Sequence, residues 1–135
     1  MYYYALVVDD DKTMADCLAD LLRLLGHTAV VAPSPRAALH SLRRRIPDVL
    51  FLDVNMPGID GLEVCRYLRR EPTIKDLPII IVSANDGEAH QQAAFEAGAN
   101  YYIVKPAMIE DVENALQQVM LRKPVVPALG SIAEP

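Results

Sequence analysis

The stretch VLFLDVNMPGIDG, residues 49–61, decides the fold class. Its apolar start, Val49–Leu52, lacks the in-and-out alternation of a half-buried strand, which is typical of a parallel strand buried on both faces. Asp53 ends the apolar run, and residues Leu62–Arg70 then show helical spacing and stop before Pro72. The stretch therefore predicts a buried strand, a polar loop and a helix.

The same strand and helix unit recurs along the whole chain. The predicted strands are Tyr3–Val8, Thr28–Ala32, Val49–Leu52, Ile79–Val82 and Tyr101–Val104. The predicted helices run from Met14 to Leu25, Pro35 to Arg45, Leu62 to Arg70, Glu88 to Ala97 and Ile109 to Leu121. Five such units predict right-handed crossovers and an α/β fold. We expect a doubly wound, five-stranded parallel sheet of flavodoxin-like strand order 2-1-3-4-5, with five flanking helices.

Length and composition restrict the class of protein. The chain has 135 residues, 52% of them hydrophobic, and a net charge of -5. We expect one domain over residues 1–121 and a proline-containing tail or linker over residues 122–135. The negative charge argues against direct nucleic-acid binding. The chain shows no signal peptide or membrane span, so we expect a cytoplasmic protein.

Polar side chains follow four of the predicted strands: Asp9 and Asp10, Asp53, Ser83, and Lys105. The carboxyl ends of parallel strands meet at one edge of the sheet, so we expect these groups to lie together. Three carboxylates at one edge would repel one another unless a divalent cation neutralised them, and an all-oxygen ligand set suits Mg²⁺. One carboxylate can then act as a nucleophile toward phosphate, with the lysine as counter-charge.

These motifs resemble those of response regulator receiver domains in two-component signalling. The resemblance covers about residues 4–121 and rests on four segments in order. They are Leu6–Asp10, Asp53–Gly61, Ile81–Ala84 and Ala97–Pro106. The resemblance implies a phosphorelay switch, not a metabolic enzyme, with self-phosphorylation and self-dephosphorylation chemistry.

The resemblance also implies the roles of the site residues. Asp53 would accept a phosphoryl group from a sensor histidine kinase, a histidine phosphotransfer protein or a small phosphodonor. Asp10, Asp53 and the backbone carbonyl of Asn55 would bind Mg²⁺, with Asp9 acting through water. Lys105 would contact the phosphoryl group, and a cis bond before Pro106 would direct that lysine into the site.

The resemblance further implies a conformational switch. Ser83 would move toward the phosphoryl group, and Tyr102 would rotate inward behind it, changing a face made by the fifth strand and the last two helices. That face would control a downstream partner or a tethered output domain, and a phosphorylation-dependent homodimer stays open. Asn55 and Asn85 would modulate the lifetime of the phosphoryl group, while Pro57 and Gly61 are structural. The family's usual aromatic residue and acidic pair are replaced by Ala107 and by Asn100 with Tyr101.

The same residues also have interpretations other than a phosphorylated receiver domain. A haloacid-dehalogenase-type phosphatase needs an aspartate where Asn55 stands, and three acids in the first turn oppose a flavin phosphate. A receiver-like scaffold that is not phosphorylated stays open, as does simple helix capping by Asp9 and Asp10. The two cysteines are interpreted as small core residues and the arginine clusters as a solvated face. The residues concerned are Cys17, Cys65, Arg43, Arg44, Arg45, Arg66, Arg69 and Arg70.

Overall fold

The computed structural model describes residues 1–121, and the tail predicted over residues 122–135 lies outside them. Strands and helices alternate along the described chain. In order they are β1 Tyr4–Val8, α1 Lys12–Leu24, β2 Thr28–Ala32, α2 Pro35–Arg44, β3 Val49–Asp53, α3 Gly61–Arg70, β4 Ile79–Ser83, α4 Glu88–Glu96, β5 Tyr101–Val104 and α5 Ile109–Leu121. None of the helices in residues 1–121 is both long and apolar enough to cross a lipid bilayer.

The strands form one parallel sheet in the predicted order β2-β1-β3-β4-β5. Two strands extend one residue further than their apolar runs, because the ladder continues through polar residues. Asp53 lies opposite Val82, and Ser83 lies opposite Val104. The site residues are therefore held by the backbone of the sheet itself.

The two faces of the sheet are covered by separate groups of helices. Leu50, Leu52 and Ile81 pack on the face covered by α2, α3 and α4, whereas Phe51 and Ile80 pack on the face covered by α1 and α5. Alternate residues of one strand point to opposite faces, so burial of both faces requires the uninterrupted apolar runs seen in the sequence. The doubly wound prediction is confirmed.

The first helices begin at side-chain caps. Asp11 accepts a hydrogen bond from the Met14 backbone N–H at 3.1 Å, and Ser34 accepts one from Ala37 at 3.1 Å. Asp11 therefore caps α1, and the capping interpretation of Asp9 and Asp10 is wrong. Those two acids are left for the site at the end of β1.

Two interpretations of surface and core residues are corrected. Cys65 is buried as expected, but Cys17 is exposed, because α1 buries the adjacent stripe that includes Leu18. Arg69 is not part of a solvated face. Its guanidinium donates to the carbonyls of Gly98, Lys75 and Leu77 and to the Asn100 side chain, at 2.6–2.9 Å.

Asn100 completes this arrangement by accepting a hydrogen bond from the Ile79 backbone N–H at 2.8 Å. Arg69 and Asn100 together join the end of α3 to the start of β4 and to the turn before β5. Their polar groups satisfy backbone carbonyls that the loops would otherwise leave without a protein partner. This clamp fixes where β4 and β5 enter the sheet.

Candidate functional site

Four neighbouring strands bring the predicted polar groups to one edge of the sheet. Asp9 and Asp53 are buried, Ser83 is fully buried, and Asp10 is exposed at the rim. Lys105 follows β5, and its backbone N–H donates to the Ser83 carbonyl at 2.8 Å. Residues far apart in the sequence are thus placed together by the parallel topology, as predicted.

The acidic cluster is compact. One carboxylate oxygen from each of Asp9, Asp10 and Asp53 lies within 4.8 Å of the others. Three oxygens at this separation fit a hard divalent cation that prefers carboxylate and water ligands. The donor set therefore suits Mg²⁺, with exposed Asp10 on the solvent side.

Lys105 is the cation beside the cluster in the described part of the chain. Its Nζ lies 3.1 Å from Asp9 Oδ2 and 3.5 Å from Asp53 Oδ1. The peptide bond between Lys105 and Pro106 is cis, as the resemblance implied. Burial lowers the pKa of the Lys105 ammonium, but its hydrogen bond to Asp9 and the charges of Asp53 and Asp9 outweigh this, so the pKa is raised. Lys105 is therefore charged at neutral pH.

The environment of Asp53 disfavours the charged form of its carboxyl group. Burial is the largest effect and raises the pKa of its carboxyl, and the charge of Asp9 raises it further. The Asn55 backbone N–H, which donates to Asp53 Oδ1 at 3.1 Å, and Lys105 both lower it, but the net shift is upward. A desolvated carboxylate is a stronger nucleophile than a hydrated one, and this one points toward the acidic cluster.

Ser83 lies at the centre of a hydrogen-bonded chain that leads away from Asp53. Its Oγ accepts from Asn55 Nδ2 at 3.0 Å and from the Asn85 N–H at 3.1 Å. The Tyr102 hydroxyl donates to the Asn85 carbonyl at 2.6 Å. The side chains of Asn55, Ser83 and Tyr102 are therefore connected through the loop after β4.

The loop between Asp53 and α3 is shaped by its glycines. Gly58 adopts φ +70°, a left-handed conformation that L side chains rarely adopt. A Cβ at Gly61 would lie 2.8 Å from the Val54 Cβ and closer still to its Cα. Gly61 is thus required for the close approach of α3 to the end of β3, while Pro57 is exposed in the loop.

Sequence reasoning predicted which residues gather at the site but missed three features around them. The side chain of Asn85 accepts from the Gly87 N–H at 2.9 Å and so shapes the loop after β4 instead of pointing at the acids. The Arg69 clamp was also missed, since an arginine in the last turn of an amphipathic helix carries no sequence signal of burial. Asp11 as a cap could have been found from its place three residues before Met14.

Comparison with known proteins is consistent with this geometry. A family model described as the response regulator receiver domain matches residues 5–117. Response regulator MprA of Mycobacterium leprae is 38% identical over 128 residues, which cover 95% of this chain and 55% of that protein. The chain therefore spans about half the length of the curated relatives it matches.

Solved structures show the same architecture. Chemotaxis protein CheY4 of Vibrio cholerae superimposes with a TM-score of 0.81 at 28% identity, covering 88% of this chain and 99% of that chain. NtrX of Brucella abortus gives a TM-score of 0.81 at 28% identity, covering 90% of this chain and 29% of that chain. The match extends over nearly all of the smaller protein and over a part of the larger one.

Proposed function

This chain belongs to the response regulator receiver domain family of two-component signalling, and on that premise we propose that Asp53 is its phosphoacceptor. The observation that carries the proposal is the buried Asp53 carboxylate, which lies within 4.8 Å of the Asp9 and Asp10 carboxylates and 3.5 Å from the Lys105 ammonium. Family membership makes the chain a signalling switch and not a metabolic enzyme.

The chemistry of acceptance follows from the positions of the groups. A carboxylate oxygen of Asp53 forms a bond to phosphorus as the bond from phosphorus to the donor breaks. With a phosphohistidine donor, the imidazole nitrogen takes the bonding electrons and leaves as neutral imidazole once protonated. Lys105, 3.5 Å from Asp53 Oδ1, is placed to pair with the oxygens of the incoming group.

The proposed ligands of Mg²⁺ are Asp10, Asp53 and the Asn55 backbone carbonyl, with Asp9 acting through water. The close approach of the carboxylate oxygens of Asp9, Asp10 and Asp53 supports this assignment. When bound, the ion would neutralise the negative charge that develops around the transferred group. Asp9 is meanwhile kept in position by the Asp11 N–H at 2.9 Å and by Lys105 at 3.1 Å.

The proposed switch uses the hydrogen bonds that connect Ser83 to Tyr102 through the backbone of Asn85. A new phosphoryl group on Asp53 would offer acceptor oxygens to the Ser83 hydroxyl, drawing it away from the Asn55 side chain. Movement of Ser83 would disturb Asn85, to which Tyr102 is bonded, and the half-buried Tyr102 ring would turn inward. Asn55 and Asn85 would tune the lifetime of the phosphoryl group by shaping access for water.

The proposed output surface is formed by β5, α4 and α5. Exposed apolar side chains on or beside these elements support it, namely Phe95, Val104 and Met108. A downstream partner, a tethered output domain or a second copy of the chain would bind here after phosphorylation. The net charge of -5 makes nucleic acid an unfavourable direct partner of this domain.

The test of acceptance is intact mass after incubation with acetyl phosphate and Mg²⁺. We expect a gain of about 80 Da, one phosphoryl group. The gain should disappear in Asp53→Asn, which keeps the side-chain volume, and in EDTA. Asp20→Asn, the same change at an exposed position of α1, should still gain the mass. No gain in a folded wild-type chain would instead favour a receiver-like scaffold.

A second experiment tests the switch separately. With fluorinated tyrosine incorporated, the ¹⁹F signal assigned to Tyr102 by Tyr102→Phe should shift upon phosphorylation. Ser83→Ala should still accept the phosphoryl group but lose most of this shift, because the hydroxyl that connects Asp53 to the loop is gone. An undiminished shift in Ser83→Ala would refute the proposed connection.

A further inference from the structure

A groove runs along the edge of the sheet between α2 and β2. It has a volume of about 420 Å³. Its apolar floor includes Val30 and Ala37, whereas its rim carries His40, Arg44 and Arg45. The groove thus combines an apolar floor with a basic rim.

The apolar floor is left uncovered by the sheet topology. Within residues 1–121, β2 is the last strand at this edge, and no further described strand lies beside it. Val30 is 37% exposed, although it lies within a strand. Arg23 donates to the outward Ala29 carbonyl at 3.0 Å and so blocks part of the free strand edge. A ligand would therefore be held by side chains in the groove more than by addition of a new strand.

The basic rim lacks the internal partners found on other helices. Residues 34–47 contain four arginines and a histidine but no acid, in a chain of net charge -5. Arg23 and Arg66 pair with acids of their own helices, Asp20 and Glu63. In the described residues, Arg44 has no such partner.

Arg45 is held at one end of the groove. Its guanidinium lies over the Tyr4 ring, 3.9 Å from the ring centroid. This contact orders the charged group while leaving its N–H groups available around the edge of the plane. Arg45 therefore supplies an ordered positive charge at this end of the groove, which Val30 also lines, while the Asp48 carboxylate is engaged by the Tyr4 backbone N–H at 2.8 Å.

We propose that this groove binds an extended acidic peptide segment of a partner protein. An aliphatic side chain of that segment would cover Val30 and Ala37, and neighbouring carboxylates would pair with Arg44 and Arg45. Guanidinium groups bind carboxylates in a two-point geometry, which favours this class of ligand. A nucleic acid fits less well, since it would leave the apolar floor uncovered and meet a chain of net charge -5.

The groove lies away from both the acidic cluster and the proposed output surface. β2 and β5 lie at opposite edges of the sheet, so a peptide at β2 would block neither the acidic cluster nor the output surface. A partner could therefore remain bound whether or not Asp53 is phosphorylated. The groove would recruit a partner and would not read out phosphorylation.

The test uses a capped heptapeptide of Glu, Asp and Leu, followed by ¹H–¹⁵N NMR of the whole chain. We expect saturable shifts at Val30, Val31, Ala37 and Arg44, with the same affinity before and after phosphorylation. Arg44→Glu should weaken binding about tenfold, because charge reversal removes an attraction and adds a repulsion. Arg70→Glu is the matched control and should leave the affinity within about twofold, since Arg70 is also an exposed last-turn arginine but lies on α3.

Each alternative outcome would overturn the proposal. Equal binding of the Gln/Asn/Leu version of the peptide would remove the role of charge. Tighter binding of a single-stranded oligothymidine would identify a nucleic-acid surface, and concentration-dependent self-association lost in Arg44→Glu would identify a second copy as the occupant. No shifts along α2 and β2, in a chain that still accepts a phosphoryl group, would refute the groove and leave the proposed function intact.

Discussion

Replacing Lys105 by methionine tests the electrostatics of the site most directly. The ammonium lies 3.1 Å from Asp9 Oδ2 and 3.5 Å from Asp53 Oδ1, and the three side chains are 15%, 8% and 3% exposed. Methionine keeps an unbranched chain of similar length but removes the charge. Asp9 and Asp53 are then left as two buried carboxylates without their cation.

The expected loss of stability is about 3 kcal/mol in metal-free protein at neutral pH. At an effective dielectric constant of about 20, unit charges at the separations in this site attract by roughly 5 kcal/mol. Part of that attraction offsets the cost of burying the ammonium, and breaking a buried pair generally costs about 3–5 kcal/mol. The partial exposure of Lys105 argues for the lower end.

The loss should depend on pH in a defined direction. The pKa of Asp53 is already raised by burial, and loss of Lys105 raises it further. A carboxyl whose folded pKa lies above its unfolded pKa destabilises the fold above the folded pKa, and the penalty disappears as the pH falls through that value. The difference between Lys105→Met and wild type should therefore narrow as the pH is lowered from about 7 to about 4.

The measurement is urea unfolding followed by circular dichroism in EDTA at both pH values. The double variant Lys105→Met with Asp53→Asn supplies the control, since removal of one carboxylate charge should recover a large part of the loss. A loss below about 1 kcal/mol at neutral pH, in the range of a surface ion pair, would refute the proposed role of burial. So would a loss that is the same at both pH values.

Three further predictions concern other parts of the site and its support. Asp53→Asn should raise the free energy of unfolding of metal-free protein at neutral pH, because it removes a carboxylate whose pKa is raised by burial. This gain in stability should fade as the pH drops through that pKa. An unchanged or lowered midpoint of urea unfolding at pH 7 would contradict the prediction. Gly61→Ala should lower the stability by about 1–3 kcal/mol, because the new Cβ would overlap with Val54. Gly58→Ala should lower it by about 1 kcal/mol, since nothing lies within 4 Å of the new Cβ and only the backbone conformation is disfavoured. Thermal unfolding of the two variants would distinguish these losses. Arg69→Met should lower the free energy of unfolding by at least about 2 kcal/mol, since the hydrogen bonds of the guanidinium are charge-assisted. The effect should appear as faster amide hydrogen exchange at the start of β4 and in the turn before β5. Local exchange rates equal to those of wild type would show that the clamp is dispensable.

Local sequence signals determined the order of the elements. Apolar runs of four to six residues, helical stripes, and the positions of Ser34, Gly26 and Pro72 define strands, helices and their ends within one or two residues. Five strand and helix units then restrict the topology, because crossovers between parallel strands are right-handed. The clustering of Asp9, Asp53, Ser83 and Lys105 follows, since parallel strands end at the same edge.

The contacts within the loops could not be predicted from local sequence signals. Nothing local in the sequence indicates that Asn55 donates to Ser83, or that Tyr102 bonds to the Asn85 carbonyl. These contacts depend on how closely the loops after β3 and β4 approach each other. The approach is set by packing, including the contact of Gly61 with Val54.

The two Leu-Arg-Arg ends of α2 and α3 show the division between sequence and tertiary structure. Both helices end in the same three residues, Leu42–Arg44 and Leu68–Arg70, on amphipathic helices of equal length. The sequence alone determined that both are helix ends with basic last turns. Tertiary structure decided that Arg69 is drawn into a clamp on backbone carbonyls, because α3 lies beside the loops that enter β4 and β5. α2 packs at the edge of the sheet beside β2, and Arg43, which occupies the position that matches Arg69, is left exposed there.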